Sequence, residues 1–106
     1  MNEVTVANFD SAILSTEGLA AVYFHAPWCK ASEQMTPLVE AAESEYADTP
    51  LVSVNTDICE EIVSQVGIRT IPSLGIFRDG KLVSQIRGPG SEEDFKQSLS
   101  DALQAG

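Results

Sequence analysis

"VYFHAPWCKAS", residues 22–32, decides the fold. Its first half completes an apolar run from Leu19 to Ala26, the pattern of a central strand buried on both faces. Its second half turns through Pro27 and Trp28, the only tryptophan, into a segment of helical periodicity. There Met35, Leu38, Val39, Ala42 and Tyr46 recur at spacings of three and four. Pro37 lies inside that pattern and predicts a kink, because proline lacks a backbone donor and crowds the preceding turn. A buried strand feeding a long helix is the first half of a βα unit. Cys29 falls at the junction, and Ser32 follows it three residues later.

Working outward, "EVTV" (3–6) reads as a short strand. "NFDSAILS" (8–15) reads as a helix capped by Asn8 or Asp10, with Phe9, Ile13 and Leu14 turned inward. "LVSVNTD" (51–57) is a second buried strand. "CEEIVSQV" (59–66) is a short helix with Asp57 as a candidate cap and Gly67 as its stop. "PSLGIFRDGKLVSQIRG" (72–88) places two strand-like runs about Asp79-Gly80, a strong hairpin signal. Ser91, with Asp94 three residues on, opens a last helix whose apolar face is Phe95, Leu99, Ala102 and Leu103. The order β-α-β-α-β-α-β-β-α predicts one α/β domain over residues 1–106, a mixed five-stranded sheet flanked by four helices.

Composition narrows the function. The chain has 106 residues, 43% hydrophobic and 21% charged, as in a soluble globular protein. Sixteen acids against 6 bases give a net charge of −10, with no basic cluster to hold nucleic acid or an anionic membrane. No apolar run reaches the ~18 residues of a membrane span. The first ten residues lack the basic and apolar regions of a signal peptide, so a cytoplasmic location is expected. Two cysteines do not make a disulfide framework.

The chemistry concentrates at Cys29. The first turn of a helix presents unsatisfied N–H groups and the positive end of the helix dipole, and both favour a thiolate. Lys30 adds a positive charge, and the Ser32 hydroxyl is one turn away, within reach of the sulfur. The expectation is a partly exposed, nucleophilic thiolate at neutral pH. Glu33 suits the helix start but opposes that ionisation slightly. His25, the only histidine, is close in sequence, yet one histidine and two separated cysteines do not form a zinc ligand set. It is read as a strand-end residue that could also tune Cys29. Arg69 and the acids Glu40, Glu43 and Glu45 read as solvated surface.

Taken together, the chain resembles the thioredoxin family nearly end to end. "VYFHAPWCKAS" is similar to the family's strand and active-site turn, where the pattern is Trp-Cys-x-x-Cys. Pro37 falls at the family's helix-kinking proline. "GIRTIPSLGIFRDGKLV" resembles the segment with its cis-proline and hairpin, and Gly88 falls at its loop glycine. The resemblance implies a thioredoxin fold and thiol–disulfide exchange on protein disulfides. Cys29 is then the attacking cysteine, Trp28 its aromatic shield and Pro72 the cis-proline. Trp28, Ile71, Pro72 and Gly88 form the substrate surface, with the Ile71 backbone pairing with an extended substrate. It implies no cofactor, a monomer, and thioredoxin reductase or glutathione as reductant. Cys59, in a helix that the family fold sets away from the turn, takes a structural role and is not expected to bridge to Cys29.

Three positions depart from the family. Ser32 stands where the resolving cysteine would be, Tyr23 where a buried acid would be, and Ser53 where a lysine is often paired with that acid. A serine hydroxyl cannot resolve a mixed disulfide, so attack is kept and release is lost. Ser32 is then either the natural residue of a one-thiol protein or a laboratory replacement that traps a dithiol one. The reading of another class is a non-catalytic, redox-linked binding module that uses the Trp28 and Pro72 surface.

Overall fold

The computed structural model of the chain describes residues 1–88 and 90–105. Five strands form one sheet: β1 (Asn2–Val4), β2 (Leu19–His25), β3 (Leu51–Asn55), β4 (Ser73–Arg78) and β5 (Lys81–Arg87), in the order β1-β3-β2-β4-β5. β1, β3 and β2 run parallel, while β4 and β5 join antiparallel. Three α-helices, α1 (Lys30–Glu45), α2 (Glu60–Val66) and α3 (Glu92–Ala105), and a π-helical turn (Asp10–Leu14) complete the chain.

Alternation along β2 assigns the two faces. Val22 and Phe24 pack with Phe9, Ile13, Val54, Ile62 and Phe77, beneath the π-helical turn and α2. Ala21 and Tyr23 pack with Met35, Val39, Leu74, Ile76, Phe95 and Leu99, beneath α1 and α3. The middle of β2 is buried from Ala20 to Phe24, because it has neighbours on both edges and helices on both faces.

The first helical segment differs from the expected α-helix. The Ser15 N–H donates to the Asp10 carbonyl at 2.9 Å, a bond spanning five residues. Residues four and five apart then share a face, which brings Ile13 and Leu14 together onto the core beside Phe9. Neither expected cap acts as one. The Asn8 side chain accepts from the Thr5 N–H behind it at 2.7 Å, and Asp10 lies inside the first turn. β1 also begins one residue earlier than expected, at Asn2. At α3 the Ser91 hydroxyl does accept the Asp94 N–H, at 3.0 Å.

The Asp79-Gly80 turn puts both residues at positive φ, 51° and 81°. It is tied to the mouth of β2: the Asp79 N–H donates to the Gly18 carbonyl at 2.9 Å, and the Gly18 N–H to Asp79 Oδ1 at 2.8 Å. A side chain at Gly80 would strike the Leu14 carbonyl, whereas one at Gly67, also at positive φ, meets open space. Gly67→Ala is therefore expected to cost about 1 kcal/mol, for the left-handed backbone alone. Gly80→Ala adds the collision and is expected to cost about 2–4 kcal/mol. Urea denaturation of the two variants checks the ranking.

Candidate functional site

The site lies at the end of the sheet where β2 stops and β4 starts. Cys29 is the N-cap of α1, in extended conformation at φ −89° and ψ 111°. Its N–H donates to the Ala26 carbonyl at 3.1 Å, which closes the turn around Pro27 and Trp28. This leaves the sulfur half-exposed above the first turn of the helix. The thiol is held below its ordinary pKa, chiefly by the Ser32 hydroxyl, then by the N–H groups of Ser32 and Ala31, against desolvation and the nearby Glu33 carboxylate. Lys30, expected to assist, is exposed. The helix start and the serine therefore do the activating.

Ser32 is buried, 3% exposed. The Ala26 N–H approaches its oxygen at 3.5 Å. Its carbonyl lies 2.8 Å from the Tyr23 hydroxyl and 2.8 Å from Thr36 Oγ1. Tyr23 and Ser53 are register partners on neighbouring strands, so the two departures beneath the turn fall side by side. Tyr23 is wholly buried, and burial is the first cause that pushes its hydroxyl above the ordinary pKa.

The Ile71–Pro72 peptide is cis. Pro72 is buried and Ile71 half-buried, where the chain enters β4 next to β2. Among the described residues, neither the N–H nor the C=O of Ile71 pairs with another backbone group. The Gly88 N–H donates to the Pro72 carbonyl at 3.2 Å, joining these two site positions. A side chain at Gly88 would run into Met35 of α1, so the glycine also lets the β5 end close over the helix.

Trp28 is 68% exposed, and its indole N–H donates to Asp57 Oδ1 at 2.8 Å. Asp57 was the expected cap of α2, but that helix is capped at Cys59 with no side-chain bond. The carboxylate is instead spent on the indole. Sequence reasoning missed this pairing because Trp28 and Asp57 follow β2 and β3 and meet only once those strands are in register, and it missed Thr36 because that residue meets Tyr23 only when α1 packs on β2. Ile58, next to Asp57 in the chain, is 62% exposed, another large apolar side chain left at the surface.

Three other residues lie away from the chemistry. His25 stacks on Tyr23, ring centroids 5.0 Å apart, and burial lowers its pKa against the pull of Glu3. Cys59 is fully buried near the Val4 carbonyl, and burial pushes its thiol up. Arg69 is exposed, outside any ion pair among the described residues. No cluster of three or more metal-ligating side chains occurs among the described residues, and no helix there is long and apolar enough to cross a membrane.

A mixed sheet of this order, with a cysteine capping the helix after its central strand and a cis-proline alongside, defines the thioredoxin class of α/β fold. Comparison with known proteins agrees. The family model "Thioredoxin" matches residues 1–101. The chain is 40% identical over 101 residues to thioredoxin 1 of Synechococcus elongatus, covering 94% of each. It is 36% identical over 102 residues to a thioredoxin of Alicyclobacillus acidocaldarius, covering 95% of this chain and 96% of that one. Over 102 residues it is 33% identical to thioredoxin 1 of Nostoc, covering 95% of each. The chain belongs to the thioredoxin family, a family of disulfide oxidoreductases.

The site makes two expectations about its sulfurs. Alkylation of the folded protein should modify Cys29 alone, Cys59 reacting only after unfolding. Its rate should rise with pH as the thiolate forms, with a midpoint below that of a cysteine peptide in the same buffer. Ser32→Ala removes the hydroxyl that chiefly lowers the thiol's pKa, so the midpoint should move up and the neutral-pH rate fall at least ~3-fold. Alkylation kinetics read by mass spectrometry decide both.

Proposed function

We propose that the chain is a one-sulfur protein-disulfide oxidoreductase of thioredoxin type, working through Cys29. The observation that carries this reading is the half-exposed sulfur at the cap of α1, beside donors that favour its thiolate. The thiolate attacks one sulfur of a substrate disulfide. That S–S bond breaks, a Cys29–S bond forms, and the departing sulfur leaves as a thiolate that takes a proton from water. Trp28, Ile71, Pro72 and Gly88 hold the substrate chain. The unpaired backbone groups of Ile71 fit an extended segment alongside.

Ser32 does not complete the exchange, because its hydroxyl stays protonated and is buried. Release falls to an outside thiol that attacks the mixed disulfide. Glutathione fits that role by size, whereas thioredoxin reductase would serve a dithiol form. The surroundings of Ser32 favour the one-thiol form as native over a trapped dithiol protein. Tyr23, Thr36 and the Ala26 N–H border it, and none accepts a proton at neutral pH as a second attacking thiol would require. The cytoplasm, as the reducing compartment, and a monomeric state complete the reading.

The second reading, a redox-linked binding module, draws on the exposed Trp28 and Ile58. One experiment separates the two. The protein is incubated with oxidised glutathione or a disulfide-containing protein, the adduct is weighed, and reduced glutathione is then added. The oxidoreductase reading expects one adduct at Cys29, discharged by the added thiol and absent from Cys29→Ser. Partner binding that survives Cys29→Ser, with no adduct on the parent chain, would leave the binding module standing. Ser32→Cys alone is expected to release the partner slowly, at least ~10-fold slower than a thioredoxin with two cysteines.

A further inference from the structure

The first turn of α1 is one bond short. Pro37 has no N–H, so the Glu33 carbonyl one turn earlier loses its helical donor. The turn that carries Ser32 therefore depends more than usual on contacts from outside the helix. One such contact is present. The Tyr23 hydroxyl, rising from β2, reaches the Ser32 carbonyl at 2.8 Å and Thr36 Oγ1 at 3.0 Å.

Proton counting fixes what this triangle does. Two hydroxyls supply two protons to three contacts, so at most two are hydrogen bonds at one time. The Ser32 carbonyl is the only member that cannot donate, so with both protons used inside the triangle it always receives at least one. The Thr36 contact lies within α1 and moves with it. Tyr23 ties the backbone of the turn to β2 itself, beside the longer 3.5 Å approach of the Ala26 N–H to the Ser32 hydroxyl, and β2 is fixed between β3 and β4.

We propose that Tyr23 is a positioning residue for Cys29: its hydroxyl anchors the Ser32 peptide to the sheet, which holds the first turn of α1 so that the Ser32 hydroxyl stays on the side of the sulfur. This rests on the reading of Cys29 as the reactive atom. Tyr23 remains the donor because burial and the negative charges of Cys29 and Glu40 oppose its ionisation. His25 stacks on its ring, and Ser53 lies in register beside it. Of the charged and titratable groups near Cys29, Glu33 opposes its ionisation and Tyr23 lies beneath the turn, while Lys30 follows it in the chain and Asp57 is engaged by Trp28.

The test is a double-mutant cycle read by the pH profile of Cys29 alkylation in the intact protein. Tyr23→Phe keeps the ring and removes only the hydroxyl. The expected result is an upward shift of the midpoint and a neutral-pH rate ~2- to 5-fold lower. In a Ser32→Ala background the same change should have no further effect. An unshifted midpoint in folded Tyr23→Phe overturns the proposal, and so does an equal loss in both backgrounds, since Tyr23 would then act by another route. Thr36→Val is independent of how Tyr23→Phe folds. It leaves the Tyr23 bond intact and is expected to leave the midpoint in place, while a ~2-fold or larger loss there would put the anchor within the helix and overturn the proposal. Failure of the parent chain to form a glutathione adduct would sink the oxidoreductase reading alone, because alkylation reports the sulfur without any disulfide.

Discussion

The carbonyl oxygen of Ser32 is met by two hydroxyls at 2.8 Å, one from the central strand and one from the next turn of its own helix. That meeting joins the sheet to the helix that carries the reactive sulfur. Without it, α1 would rest on the sheet through apolar contacts such as Met35 and Val39, which hold a helix down but are non-directional. The hydrogen bonds add direction. They fix the rotation of the first turn, and with it which groups face Cys29.

The arrangement also shows how two substitutions beneath a turn become one change. Tyr23 and Ser53 are cross-strand partners, and a tyrosine needs more room than an acid while a serine needs less than a lysine. The phenol fills the space and sends its hydroxyl upward to the helix. A position that would hold a charge in the family pattern holds a buried neutral donor. The space beneath the turn is thus buried and lined by neutral hydroxyls.

The architecture was legible because each element carried its own local signal. The apolar run 19–26, the spacing of Met35 to Tyr46 and the Asp79-Gly80 turn needed no tertiary information. The place of Cys29 at the start of α1 was legible for a similar reason, since a strand-to-helix junction is visible in one dimension. The Trp28–Asp57 and Tyr23–Thr36 contacts were not, because they join residues 29 and 13 positions apart through strand register and helix rotation. The π-helical turn was misread as α for a narrower reason. Phe9, Ile13 and Leu14 satisfy both periodicities over one turn, and only the bond from Ser15 to Asp10 tells them apart.

The burial of Cys59 and the serine at 32 together leave one reachable thiol on the chain. Mass action then acquires a particular form. A protein that closes an internal disulfide consumes one molecule of oxidised small thiol and returns two reduced ones, so its balance depends on the square of the reduced concentration. A chain with a single thiol trades one for one. Its loaded fraction follows the simple ratio of oxidised to reduced thiol, and diluting or enlarging the whole pool leaves that fraction unchanged.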